Sequence, residues 1–123
     1  MDIILQVCYI GFCLLLAYYN AMLIKQGRRI LHALNAVGHL LLWAAVYLIS
    51  KDLVLLAILP FIGRLFFDVA LNLFRGLDLS YVPDDPRSVI DSAEKLFFDD
   101  DGFTPKIIYA FAILMLNVIN ALI

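Results

Sequence analysis

Apolar residues fill four long windows of this chain, at 3–24, 30–50, 53–74 and 105–123, and polar residues interrupt them sparsely and at helical spacing. Each window is close to the roughly 20 residues an α-helix needs to cross about 30 Å of hydrocarbon. The last is the shortest: counted from Ile107, its 17 apolar-rich residues rise about 26 Å at 1.5 Å per residue, near the minimum for a crossing. The pattern predicts an all-α fold, an integral membrane four-helix bundle forming a single transmembrane domain over 1–123. A short amphipathic helix at 86–98 is expected between the third and fourth crossings, on the cytoplasmic side.

The connections support these boundaries. The first window lacks a basic leader and is longer than the apolar part of a signal peptide, so it reads as a crossing. Lys25-Gln26-Gly27-Arg28-Arg29 is a basic turn in which Gly27 suits a helix end. Ser50-Lys51-Asp52 leaves room only for a tight turn, which makes the second and third helices an antiparallel hairpin with Asp52 as N-cap. Arg75-Gly76 ends the third helix. The segment 77–104 is the one sizeable polar stretch. In it Asp85 and Pro86 suit an N-cap and first helical position. Val89, Ile90, Ala93, Leu96 and Phe97 then fall on one helical face, with Asp91, Glu94 and Lys95 opposite. Such a helix is expected to lie on the membrane surface or against the bundle. Asp99-Asp100-Asp101-Gly102 lacks the alternating ligands and closing glutamate of a calcium loop and reads as a solvated acidic turn. Thr104-Pro105 is a second cap and first-position pair.

The polar residues inside the windows are the candidate chemistry. Gln6, Cys13 and Asn20 recur every seven residues and suggest a helix-packing seam. His32, Asn35 and His39 share one face of the second helix, with Trp43 and Tyr47 toward an interface end. Arg64, Asp68 and Asn72 share one face of the third, and a charge at the bilayer centre costs roughly 2.5–3.5 kcal/mol unless it faces a protein interior and is paired. The spacing of Arg64 and Asp68 suggests that they pair with each other. Basic residues cluster before the second helix (Lys25, Arg28, Arg29) and between the third and fourth (Arg75, Arg87, Lys95, Lys106), so the positive-inside rule puts both segments in the cytoplasm and both termini outside. In that topology Asn20, Asn35, His39, Arg64 and Asp68 all fall within about 6–15 Å of the inner helix ends. Asn72 lies shallower and His32 near the surface. The candidate site is therefore a buried polar cluster of Asn20, His32, Asn35, His39, Arg64, Asp68 and Asn72. A metal site would draw on His32, His39 and Asp68, but the two histidines are about 10 Å apart along the helix axis.

Composition narrows the class. The chain is 64% hydrophobic, above the 45–50% of soluble domains, so the surplus calls for lipid. A formal net charge of −2 offers no basic surface for nucleic acid. Cys8 and Cys13 lie on different sides of one helix and suit buried thiols rather than a disulfide. No catalytic motif is present, no catalytic residue stands out, and no cofactor is implied. The stretch NLFRGLDLSYV, continuing through PRSVIDSAEKLF to DGFTPKIIY, resembles uncharacterised small four-helix membrane proteins of bacteria and their phages. The resemblance covers the second half of the chain and implies a bacterial inner-membrane location, with no activity attached. Four short helices enclose little volume, so the expected partners are the lipid bilayer and either further copies or a larger membrane protein. The leading expectation is a homo-oligomeric channel or pore. The alternatives are a non-conducting accessory or interaction subunit, including a phage-type factor acting on a host membrane component, and a small membrane enzyme or metal protein.

Overall fold

A computed structural model describes residues 2–28, 32–82, 89–99 and 101–123. Among them are five helices and no strand: α1 (Asp2–Lys25), α2 (His32–Ser50), α3 (Leu53–Phe74), α4 (Val89–Phe98) and α5 (Thr104–Leu122). Four of these, all but α4, are long and apolar enough to cross a membrane. The four long windows of the sequence thus emerge as helices within a residue or two of their expected ends. The expected cap at Asp85 and Pro86 lies outside the described residues.

α3 is the hub. It packs α1 along one side and α5 along another, while α2 touches α3 more lightly and α1 least. Leu55, Ile58, Leu59 and Ile62 recur at helical spacing, and all are fully buried against Tyr9 and Cys13 of α1 and Val46 of α2. The α1–α3 seam is close because Gly63 has no side chain. A Cβ there would sit 2.4 Å from the Tyr9 hydroxyl. Contacts of Tyr9 with Gly63 and of Tyr18 with Phe74 make α1 and α3 parallel. Lys106 with Asp68 and Asn120 with Asp52 make α5 antiparallel to α3. Most large apolar side chains of α2 and α5 point away from this core. In water such a surface would be an aggregation site, and against acyl chains it is ordinary.

Helix ends follow local chemistry. Asp52 caps α3 as its sequence suggests, accepting from Val54 N at 2.9 Å and Leu55 N at 3.2 Å. Gly27 and Gly76 take φ of +71° and +72°, the left-handed conformation of a glycine-terminated helix. The paired bonds Arg28 N to Leu23 O and Leu77 N to Asn72 O then close the last turns of α1 and α3. The start of α5 corrects the sequence reading. Thr104 is already helical, the N-cap position falls on Phe103, whose side chain makes no cap bond, and the first N–H groups are met from two residues earlier by Asp101. It accepts from Phe103 N at 3.0 Å, from Thr104 N at 3.1 Å and from the Thr104 hydroxyl. These bonds, the Thr104 hydroxyl first, hold the Asp101 carboxyl below the usual carboxylate range.

Candidate functional site

One face of α3 carries a ladder of polar rungs one turn apart. Asn72, buried, donates to the carbonyls of Leu79 at 3.2 Å and Tyr81 at 3.4 Å, and so folds the chain leaving α3 back onto the helix. Gly102 packs on this returning strand of loop so closely that a Cβ would meet Ser80 O at 1.9 Å. One turn higher, Lys106 of α5 bonds Asp68 at 2.8 Å and also donates to Gly102 O at 2.9 Å. One turn higher again, Arg64 Nε donates to Glu94 Oε2 at 2.9 Å and Oε1 at 3.2 Å, and its Nη2 reaches both Glu94 and Asp91. The Tyr109 hydroxyl of α5 donates to the same Glu94 at 2.8 Å. Three helices therefore meet on one carboxylate.

This arrangement corrects two expectations. Arg64 and Asp68 do not form a hydrogen-bonded pair; each is matched by a residue distant in sequence. An Arg guanidinium offers five donors in a fixed fork, and two carboxylates on successive turns of α4 fit that fork better than one i+4 neighbour. The amphipathic helix is also turned over. α4 lies against the bundle by its charged face, through Asp91 and Glu94, and leaves Leu96 81% and Phe97 79% exposed. A small cleft of about 20 Å³, lined in part by Arg64, Asp68, Glu94 and Lys106, remains between α4 and the ladder. It has room for about one water molecule.

A second, neutral network joins α1 to α2. The Tyr9 hydroxyl accepts from Trp43 Nε1 at 2.7 Å and lies 2.6 Å from His39 Nδ1. The His39 ring packs edge-on against Phe12 and Phe67. Trp43, expected at an interface, is drawn into the protein by this bond. Deeper toward the α1–α2 turn, Asn35 Nδ2 donates to Asn20 Oδ1 at 3.2 Å. Between α1 and α5, Gln6 and Asn117 exchange two bonds at 2.8 and 3.1 Å. Asn120 donates to Asp2 at 2.9 Å and Asp52 at 3.1 Å.

The seven predicted site residues are thus dispersed over separate contacts. Asn20 and Asn35 bond each other, His39 belongs to the aromatic network, and Arg64, Asp68 and Asn72 form successive rungs on another face of α3. His32 is exposed at the start of α2. His32, His39 and Asp68 do not converge, and among the described residues no group of three metal-ligating side chains does. Sequence reasoning missed Glu94, Asp91, Lys106 and Tyr109 as partners. The available signal was charge balance: α3 places a cation and an anion in apolar surroundings, and charges on other elements must answer them. Tyr9 and Trp43 gave no signal, because an aromatic in an apolar run reads as packing. The chain matches no protein-family model, no curated protein and no solved structure. Fold and site define its class only as a helical protein with four membrane-length helices.

Proposed function

We propose that this protein is a non-conducting membrane protein that acts by contact, as an accessory or interaction subunit for another membrane component. The observation that carries this reading is the closure of its polar interior. Among the described residues, no sealed side-chain nitrogen or oxygen lacks a hydrogen-bond partner. The charges of α3 are paired with charges of α4 and α5, and the cleft beside them has room for about one water. A conduction path needs a continuous line of polar, wetted groups, whereas the outward faces of α2 and α5 carry mainly Leu, Ile, Val and Phe. The bilayer itself is the first partner, and a larger membrane protein or further copies the second. A bacterial inner membrane suits the composition and the resemblance of the second half of the chain. The distribution of Lys and Arg favours both termini outside and the segment between α3 and α5 in the cytoplasm.

The homo-oligomeric pore is the runner-up. In its favour, α2 is only lightly packed within the chain and leaves Leu34, Val37, Leu41 and Leu48 open to a neighbour. Reconstitution separates the two readings. Liposomes loaded with a fluorescent ion indicator and containing the purified protein are expected to leak no faster than protein-free ones. Protein-dependent flux that rises with oligomer size in detergent would establish the pore instead. Orientation is checked with Asp78→Cys in a chain whose two native cysteines are replaced. An impermeant maleimide is expected to label it only once the inner face is opened, and labelling of intact cells would reverse the topology.

A further inference from the structure

We infer that α4 is a re-entrant helix seated in the acyl-chain region of the bilayer, with lipid as the occupant of its outward apolar face. This goes beyond the proposed function and holds whether or not the protein conducts. An amphipathic helix on a membrane surface keeps its charged face in water and its apolar face in lipid. α4 reverses half of that arrangement. Its charged face is used up inside the protein, where Asp91 and Glu94 take the Arg64 guanidinium and Glu94 also takes the Tyr109 hydroxyl. Ile90, Leu96 and Phe97 are left pointing outward.

The depth of the partners decides what they point into. Arg64 lies ten residues from the Phe74 end of α3 and Tyr109 five residues from the start of α5, so by helix rise their Cα atoms sit about 15 and 7 Å inside those ends. A carboxylate held by both is well within the span. The flanking loops sit lower. Asn72 holds the Leu79 and Tyr81 carbonyls near the end of α3, and Gly102 packs on Ser80 at that level. Glu94 therefore lies deeper than the described loop residues on either side of α4. On this placement Leu96 and Phe97, within a turn of Glu94, meet acyl chains, and backbone at membrane depth is tolerated when it is helical and backed by protein. α5, which α4 borders, also presents Ile107, Ile108 and Phe111 outward, so the apolar face of α4 extends a surface already fitted to lipid.

The test uses the full chain with Cys8 and Cys13 replaced by alanine, reconstituted in phosphatidylcholine–phosphatidylglycerol vesicles. Nitroxide labels are placed one at a time at Leu96→Cys, Phe97→Cys, Phe111→Cys on α5 and Asp78→Cys in the loop after α3. These side chains are exposed, so the labels displace no packing. The readout is the ratio of collision with oxygen, which partitions into lipid, to collision with a water-soluble nickel chelate. The ratio at 96 and 97 is expected to match that at 111 and to exceed that at 78 several-fold. Nickel-dominated collision at 96 and 97, with 111 still oxygen-dominated, overturns the re-entrant placement alone. Low collision with both reagents at 96 and 97 overturns lipid as the occupant in favour of protein, a second copy or another chain. A nickel-dominated 111 overturns this inference together with the membrane reading. As a second measurement, Phe97→Trp should gain fluorescence quenching by brominated acyl chains over the parent, whose one tryptophan is Trp43.

Discussion

α3 packs on α1 and on α4–α5 by opposite means. Against α1 it presents Leu55, Ile58, Leu59, Ile62 and Gly63, and the Tyr9 hydroxyl that enters this seam is matched by Trp43 and His39. Against α4 and α5 it presents Arg64, Asp68 and Asn72, matched by full charges and carbonyls. The first seam depends on shape and tolerates little change in volume. The second depends on charge balance and tolerates little change in sign. The contrast also explains the size of the segment between α3 and α5. It must be long enough to carry two carboxylates back to Arg64, and a plain turn would leave that guanidinium unanswered in apolar surroundings.

Breaking the charged seam should have the largest effect. Arg64→Gln leaves Glu94 partly buried, beside Asp91, and without its guanidinium partner. Loss of one member of a buried pair costs about 3–5 kcal/mol, and the residual exposure of these side chains puts the expectation toward the lower end. Thermal unfolding in detergent measures it. Local protease sensitivity in 89–99 should rise at temperatures where α1–α3 remains folded, because α4 loses its anchor. A drop in melting temperature with unchanged protection of α4 would mean that Arg64 does not hold it.

The shape-dependent seam should break next. Gly63→Ala drives a Cβ into the Tyr9 hydroxyl, which cannot swing away while bound to Trp43 and His39. Overpacking of this kind costs about 1–3 kcal/mol. Tyr9→Phe removes the atom in the way, and the next contact, with the ring carbon, would be 3.3 Å. The double variant should therefore be less destabilised than the sum of the two single ones. Additive losses would show that the hydroxyl is not what limits the approach of the two helices.

Much of this was legible in the sequence, and what was not has a physical cause. Four membrane-length helices, the Asp52 cap and the glycine-terminated ends of α1 and α3 follow from periodicity and local hydrogen bonding, which act over a few residues. The identities of the partners do not. Spacing placed Arg64 and Asp68 on one face and suggested a pair, but spacing cannot weigh an i+4 neighbour against carboxylates about 30 residues on. The same limit inverted α4. Its two faces were read correctly, but which one meets the protein depends on what α3 offers. The cluster expected among α1, α2 and α3 was split because equal depth is not adjacency. Asn20, Asn35 and His39 lie on the α1–α2 side of α3, whereas Arg64 and Asp68 face α4 and α5.

A double-mutant cycle sharpens that point at smaller amplitude. Asp68→Asn and Lys106→Gln should each cost about 1–3 kcal/mol, moderated because Lys106 keeps the Gly102 carbonyl as a second partner. Their coupling is expected to exceed that between Asp68→Asn and Arg64→Gln, since directly paired residues couple by about 0.5–3 kcal/mol and indirect neighbours by less. If Asp68 coupled more strongly to Arg64 than to Lys106, the ladder of separate rungs would be wrong.

The smallest effect is expected at the far end of the hub helix, where Asp52 closes the first turn of α3. The arrangement with Asp2, which shares Asn120 with it, and the bonds from Leu55 N–H, Asn120 and Val54 N–H hold the Asp52 carboxyl below the usual carboxylate range. A folded-state pKa below the unfolded value means that the ionised form is favoured by folding. Its contribution is therefore complete above the unfolded value of about 3.9 and is lost as pH falls through the lowered folded value. Asp52→Asn keeps a capping oxygen but cannot titrate, so the difference in melting temperature between parent and variant reports Asp52 together with Asp2, which shares Asn120 with it. The parent should be the more stable near neutral pH, by less than the roughly 0.5–2 kcal/mol that loss of a whole cap would cost. The gap should close below about pH 4, as the parent carboxyl takes up its proton. Because the charged seam lies at the other end of α3, Arg64→Gln should leave the gap unchanged. A gap that collapsed in that background would show that the two ends of α3 are coupled along the helix.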